Sequence, residues 1–249
     1  MDHLLTWAGL GLAALGAGTL NAIAGGGSFL TFPALVWAGI PPITANATSA
    51  MAVSPGYLGS TLGFKQELSE IPRPLLLRDM AIAALGGLAG ALLLLVTPAK
   101  VFSSLVPWLL LLATLLFAFG PRLTRARGQQ GWPRWRAVGL ASVAVYGGYF
   151  NGGLGILLMA MYTLTGETRL TTVNALKNLT SLVLSVLSVA AFAWAGAIAW
   201  PQAAWMMLAA TAGGLLGARL ARRLPAQAVR LLVIATGLLM SAVFFARTH

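Results

Sequence analysis

Long apolar runs separated by short polar breaks set the pattern of this chain. Such runs cover Met80–Val96, Val101–Phe119, Ala137–Tyr149, Leu179–Trp200 and Leu231–Ala246. Several approach the roughly 20 residues that an α-helix needs to cross hydrocarbon. Leu and Ala dominate and strand-like alternation is absent, which excludes a β-barrel. The pattern predicts three ordinary helices in each half, near 45–64, 79–97 and 101–119, then near 171–196, 202–218 and 228–246. Each trio has an unusual opener. An apolar stretch up to Ala24 meets Gly25-Gly26-Gly27, and Ser28–Gly39 then continues for a dozen residues. In the second half Ala137–Phe150 meets Asn151-Gly152-Gly153, followed by Leu154–Leu164. Pieces of about 10–14 residues suit re-entrant or broken helices rather than full crossings.

The halves match at an offset of 127 residues, the step from Gly86 to Gly213. Gly86-Gly-Leu-Ala-Gly-Ala91 then falls on Gly213-Gly-Leu-Leu-Gly-Ala218, and Pro98-Ala99 on Pro225-Ala226. Gly25-Gly-Gly-Ser28 falls on Gly152-Gly-Leu-Gly155, and Asn46 lies within one residue of Asn174. The expected organisation is one transmembrane domain of duplicated units: a first repeat over 1–120, a basic connecting loop over 121–136 and a second repeat over 137–249. Ala22-Ile-Ala24 has the small residues of a signal-peptide cleavage site, but Met1-Asp2-His3 carries no Lys or Arg. The segment is read as part of the first repeat.

Composition agrees with a bilayer as solvent. Apolar residues make up 58% of the chain and charged residues 8%, against about 25% charged in a soluble domain. The net charge of +11 sits mainly between apolar runs, as in cytoplasmic loops, and nucleic acid is not an expected partner. Those charges also discriminate between topologies. If each opener crosses once, the two sides carry nine and six Lys/Arg. If each opener is a hairpin returning to its own side, the split becomes thirteen to two, with Lys177 inside a helix. The hairpin topology fits the positive-inside rule and makes the two units inverted, as in many secondary transporters. The expected fold is therefore an all-α integral membrane protein built of two inverted units, each a broken helix plus three transmembrane helices.

Asn21-Ala-Ile-Ala-Gly-Gly-Gly-Ser-Phe-Leu-Thr-Phe-Pro33, Gly39-Ile-Pro-Pro42 and Ala47-Thr-Ser49 resemble the sulfite exporter TauE/SafE family of bacterial membrane proteins. The run Gly213-Gly-Leu-Leu-Gly-Ala-Arg-Leu-Ala-Arg-Arg-Leu-Pro225 carries the same resemblance, which covers nearly the whole chain. It implies transport of a small anion (sulfite, a sulfonate or another sulfur oxyanion) across the inner membrane. The second opener departs from the Gly-Gly-Gly run of the first, and Lys177 falls on no family motif.

The residues carry their own reading of a site. A helix that starts inside the membrane presents free N–H groups and the positive end of its dipole. Gly25, Gly26, Gly27 and Ser28 before one half-helix, and Asn151, Gly152 and Gly153 before the other, would let an oxyanion approach those groups. On that reading Gly26→Ala and Gly153→Ala should leave folding intact and weaken anion binding. The alternative is that these glycines only let helices pack closely. Asn174, Lys177, Asn178, Ser181, Ser185 and Ser188 recur on one helical face, with Asn46 and Ser49 in the first copy. Asn46, Ser49 and Asn174 are expected on the pathway, and Ser185 and Ser188 in interhelical hydrogen bonds. Lys177 reads as the only charge within an apolar helix, with Asp79 at a helix start and no buried acid, which disfavours a cation substrate. Tyr146, Tyr149 and Tyr162 suit either the pathway or core packing. With no Cys and the only His at positions 3 and 249, an enzyme, a metal site and a cofactor are not expected. The remaining alternatives are a passive anion channel and a carrier of small carboxylates, alone or as a homo-oligomer.

Overall fold

A computed structural model describes residues 3–126, 135–220 and 226–248. Within them the chain is helical with no strand: α1 (His3–Ala24), α2 (Ser28–Trp37), α3 (Pro42–Gly63), α4 (Lys65–Ser69), α5 (Arg73–Val96), α6 (Ala99–Ala126), α7 (Arg136–Tyr149), α8 (Leu154–Leu164), α9 (Leu170–Trp194), α10 (Trp200–Leu220) and α11 (Ala226–Thr248). Among the described residues four helices are long and apolar enough to cross a membrane, over Leu4–Asn21, Arg73–Val96, Ala99–Leu116 and Leu170–Trp194. The residues 127–134 of the basic connecting loop, and Arg222, Arg223 and Pro225 of the second basic run, lie outside the described residues.

Both expected breaks are present, and both reverse the chain. A Cβ on Gly16 would meet the Leu30 side chain and one on Gly9 the Trp37 ring, so α2 runs back along α1. In the same way Gly147 faces Leu154 and Gly139 faces Met161, so α8 runs back along α7. The turns sit at Gly25 (φ +78°) and Gly153 (φ +76°), a left-handed backbone that glycine adopts without a Cβ penalty. One limb differs from the expected short pieces, since α1 spans 22 residues.

The hairpins pack against the opposite half of the chain. On α1, Trp7 accepts a hydrogen bond from the Trp205 indole (3.0 Å) and Thr19 donates to the Gly213 carbonyl (2.9 Å), which sets α1 parallel to α10. A Cβ on Gly213 would lie 1.9 Å from the Leu15 carbonyl oxygen, so only glycine permits this approach. On α5, Gly90 stands in the same relation to the Val145 carbonyl of α7, at 2.1 Å. The repeated Gly-Gly-x-x-Gly runs are thus the seams where each hairpin meets a helix of the other half. Helices α3 and α9 fill the middle, and α6 packs on α11.

Apolar side chains cover the outside, including Leu12, Leu77, Leu85, Leu208 and Trp194, while Asn46, Thr48, Ser49, Asp79, Lys177, Ser181 and Ser185 are buried. This is the pattern of a protein whose solvent is hydrocarbon. Exposed Trp37, Trp135, Trp194 and Trp200 stand at or beside helix ends, where amphipathic rings meet the headgroups. At one face Arg169 pairs with Glu70, joining the α8–α9 and α4–α5 connections. The Glu70 carboxylate holds the Arg169 guanidinium above its ordinary value.

Two expectations are corrected. Asp79 is not at a helix start: Pro74 sits in the first turn, α5 begins at Arg73, and Asp79 falls inside it, fully buried. Arg136 is not loop but the first residue of α7, 8% exposed.

Candidate functional site

A cavity of about 530 Å³ opens between α1, α3, α9 and α10, in the half of the bundle where α3 ends and α9 begins. Its polar lining comes from Asn21, Ser60, Asn174, Lys177, Asn178 and Thr211, and the rest is small or apolar. Steps of three and four residues bring Asn174, Lys177 and Asn178 to one face of α9, and that face is turned into the cavity. Lys177 is 4% exposed. Among the described residues Asp79 pairs with Arg136 and Glu70 with Arg169, and neither Glu67 nor Glu167 forms an ion pair with Lys177. The Lys177 ammonium therefore stands on the cavity wall as a positive charge with no acid to pair with.

The two breaks meet beside it. A Cβ on Gly155 would lie 2.6 Å from the Gly25 carbonyl oxygen, so the two turns are in backbone contact. A Cβ on Gly25 would stand 3.6 Å from the Lys177 Nζ. Gly26 is buried in the break and accepts the Phe29 N–H, and three other break glycines face elsewhere. Gly27 lies against the Ala17 carbonyl of α1, Gly152 against the Phe150 ring, and Gly153 against Ala113 and Phe29. Ser28 is buried at the start of α2. Gly153→Ala would bring a Cβ to 2.7 Å from Ala113 at a positive φ. The expectation that this variant folds undisturbed is therefore withdrawn.

Asn46 and Ser49 sit apart from the cavity. Asn46, 1% exposed, donates its amide to the Tyr149 carbonyl (3.1 Å) and accepts the Asn151 backbone N–H (3.3 Å). It thereby ties α3 to the end of α7 and to the break that follows it. Tyr146 donates to the Gly152 carbonyl at 2.8 Å in the same turn, and Phe150 packs on Phe32 and Phe102. Ser49 shares a 2.6 Å hydrogen bond with Thr31 of α2. The Asn151 side chain is buried and has no hydrogen-bond partner among the described residues. Asn174 spends its amide N–H on the Leu170 carbonyl of its own helix, at 3.0 Å.

Beyond Lys177 the α9 stripe continues inward through Ser181 and Ser185, buried hydroxyls without partners among the described residues. Ser188 donates to the Leu184 carbonyl of its own helix. The expectation that Ser185 and Ser188 bond across helices is thus corrected: Ser185 has no partner among the described residues, and Ser188 is satisfied by carbonyls of its own helix.

A buried ion pair escaped the sequence reading. Arg136 donates from Nε (2.9 Å) and Nη2 (2.7 Å) to a single Asp79 oxygen, Oδ2, and its guanidinium lies 5.0 Å over the Tyr162 ring. Tyr162 shares a 2.7 Å hydrogen bond with Thr180, one turn from Lys177 on α9. Lys177 is therefore not the only charge inside an apolar helix, and a buried acid is present after all. The available signal was Pro74, which starts α5 early enough to draw Asp79 inside. Asn21, Ser60 and Thr211 were also missed, because each is an isolated polar residue whose neighbours become visible only once α1, α3 and α10 are packed.

Comparison with known proteins agrees with this architecture. The family model for "Sulfite exporter TauE/SafE" matches residues 10–244. The chain is 28% identical to "Probable membrane transporter protein YfcA" of Escherichia coli K12, over 94% of this chain and 87% of that one. It is 30% identical to a "Probable membrane transporter protein" of Haemophilus influenzae, over 91% and 89% respectively. A third relative, "Probable membrane transporter protein ORF9" of a Sinorhizobium species, is 26% identical over 93% and 88%. No solved structure matches the chain significantly. With its apolar exterior, buried polar stripe and a family match over nearly its full length, this multi-pass membrane protein belongs to the sulfite exporter TauE/SafE family of membrane transporters.

Proposed function

We propose that this protein carries a small anion, a sulfur oxyanion of the sulfite or sulfonate type, across the bacterial inner membrane. The single observation that carries this reading is the buried, acid-free Lys177 on the wall of a 530 Å³ cavity. A lysine near the bilayer centre costs about 2.5–3.5 kcal/mol on insertion scales, and a bound anion offsets that cost. Asn21, Asn178 and Ser60 supply neutral donors around it, as recognition of an oxyanion requires.

The mechanism rests on two inverted units, residues 1–120 and 137–249, joined by the connection 121–136. The exchange of partners supports this reading, since the α1–α2 hairpin packs on α10 while the α7–α8 hairpin packs on α5. The two breaks and Lys177 then lie where the units meet, the position of substrate sites in inverted-repeat transporters. The cavity lies at the face carrying the 64–72 and 165–169 connections, which the Lys/Arg distribution assigns to the cytoplasm.

Proteoliposomes loaded with sulfite, thiosulfate, small sulfonates or small carboxylates test the proposal. The expected result is saturable exchange of sulfur oxyanions, at turnovers of about 10³ per second or below. Preference for carboxylates would reassign the substrate, and single-channel currents would replace the carrier with a pore.

A further inference from the structure

The two asparagines at matching places in the halves are in opposite states. Asn46 of α3 uses both ends of its amide on the second hairpin, one on each side of Phe150. The aromatic packing of Phe150 and the Tyr146–Gly152 hydrogen bond seal that turn. Asn174 is, like Asn46, the fifth residue of its helix, and it shares a cavity with Asn21 of the first hairpin. Its amide N–H turns back to Leu170, and it lines open space together with Asn21 of α1. The bundle is thus closed where the asparagine is engaged and hollow where it is not.

We propose that Asn46 and Asn174 are alternating latches of the transport cycle. In this structure Asn46 holds the second hairpin shut while the cavity stands open. In the opposite state Asn174 reaches the backbone of the first hairpin near its break, closing the cavity, and Asn46 lets go of Tyr149 and Asn151. The freed carbonyl and N–H, together with the unpartnered Asn151 amide, then line the pathway on the other side. Each latch closes as the other opens, an exchange that keeps the two states near balance, as a reversible carrier requires. This deepens the anion-carrier reading above and assigns the two residues positioning roles rather than anion contacts.

The chain has no cysteine, so a single introduced thiol reports accessibility cleanly. Thr211→Cys places that thiol on the exposed cavity wall, and labelling by a membrane-impermeant maleimide from the basic face reads how often the cavity is open. Asn46→Ala should slow labelling about three- to fivefold, because the loss of two interhelical hydrogen bonds in a membrane shifts a near-balanced equilibrium about five- to tenfold. Asn174→Ala added to that protein should return the rate toward the parent's. A general loss of structure would not produce opposite shifts, and monodisperse elution checks each variant. Unchanged or faster labelling in Asn46→Ala, or no recovery in the double variant, overturns the latch. If Asn46→Ala does not fold, Asn174→Ala alone decides: faster labelling supports the latch, and slower or unchanged labelling overturns it. No anion enters the assay, so its outcome is separable from whether sulfur oxyanions are the substrate.

Discussion

Lys177 and Asp79 show how differently two buried charges can be used. Asp79 is neutralised by Arg136 within hydrogen-bond distance, so removing one partner leaves the other buried and uncompensated. Asp79→Asn should therefore destabilise the protein by about 3–5 kcal/mol, and the apolar pair Asp79→Leu with Arg136→Met should recover most of that. Thermal unfolding in detergent measures both; equal losses in the single and double variants would show that the pair does not act as a unit. Lys177 has no such partner. Lys177→Met should leave thermal stability unchanged or slightly raised, because it removes a charge from a buried site. The stripe Asn174, Lys177 and Asn178 was legible in the sequence because polar residues spaced by helical steps in an apolar run must share a face. Asp79 was not, because the reading placed the helix start at 79 and so counted the carboxylate as interfacial.

At the scale of elements, glycine does two jobs, and sequence alone did not separate them. Both breaks were legible as Gly-rich interruptions, and the positive φ of Gly25 and Gly153 is the physical reason for them. What the residues could not tell was which glycines face a ligand and which a neighbouring backbone. Gly27, Gly152 and Gly153 turned out to face packed atoms, whereas Gly25 looks toward Lys177. The seams at Gly90 and Gly213 are tighter still. Gly90→Ala and Gly213→Ala should each cost about 1–3 kcal/mol by overpacking, since the new methyl would overlap a carbonyl oxygen of the facing helix. Gly63→Ala, where the Cβ meets nothing within 4 Å, should be neutral in the same unfolding assay. A neutral Gly90→Ala would mean that α5 and α7 are not held at this separation.

Across the whole molecule, the fold class followed from the apolar runs, and the split of Lys/Arg chose between two topologies. Helix partners were beyond reach, because the pairing of α1 with α10 and of α5 with α7 depends on surfaces that small residues leave almost featureless. With each opener a hairpin, the Lys/Arg distribution predicts that both termini face the periplasm. A C-terminal fusion to a fluorescent protein that matures only in the cytoplasm should stay dark, and the same reporter inserted between residues 127 and 134 should fluoresce. A bright C-terminal fusion would remove the inverted arrangement and the latch exchange with it.

The central claim is that the Lys177 cavity is where an anion is held during transport. Counterflow of radiolabelled sulfite in proteoliposomes, comparing the parent with Lys177→Met and Lys177→Arg at matched protein levels, tests it most directly. The account predicts no counterflow above protein-free vesicles for Lys177→Met and a partial rate for Lys177→Arg, which keeps the charge but not the compact ammonium. Counterflow by Lys177→Met at the parent's rate and half-saturation would contradict it.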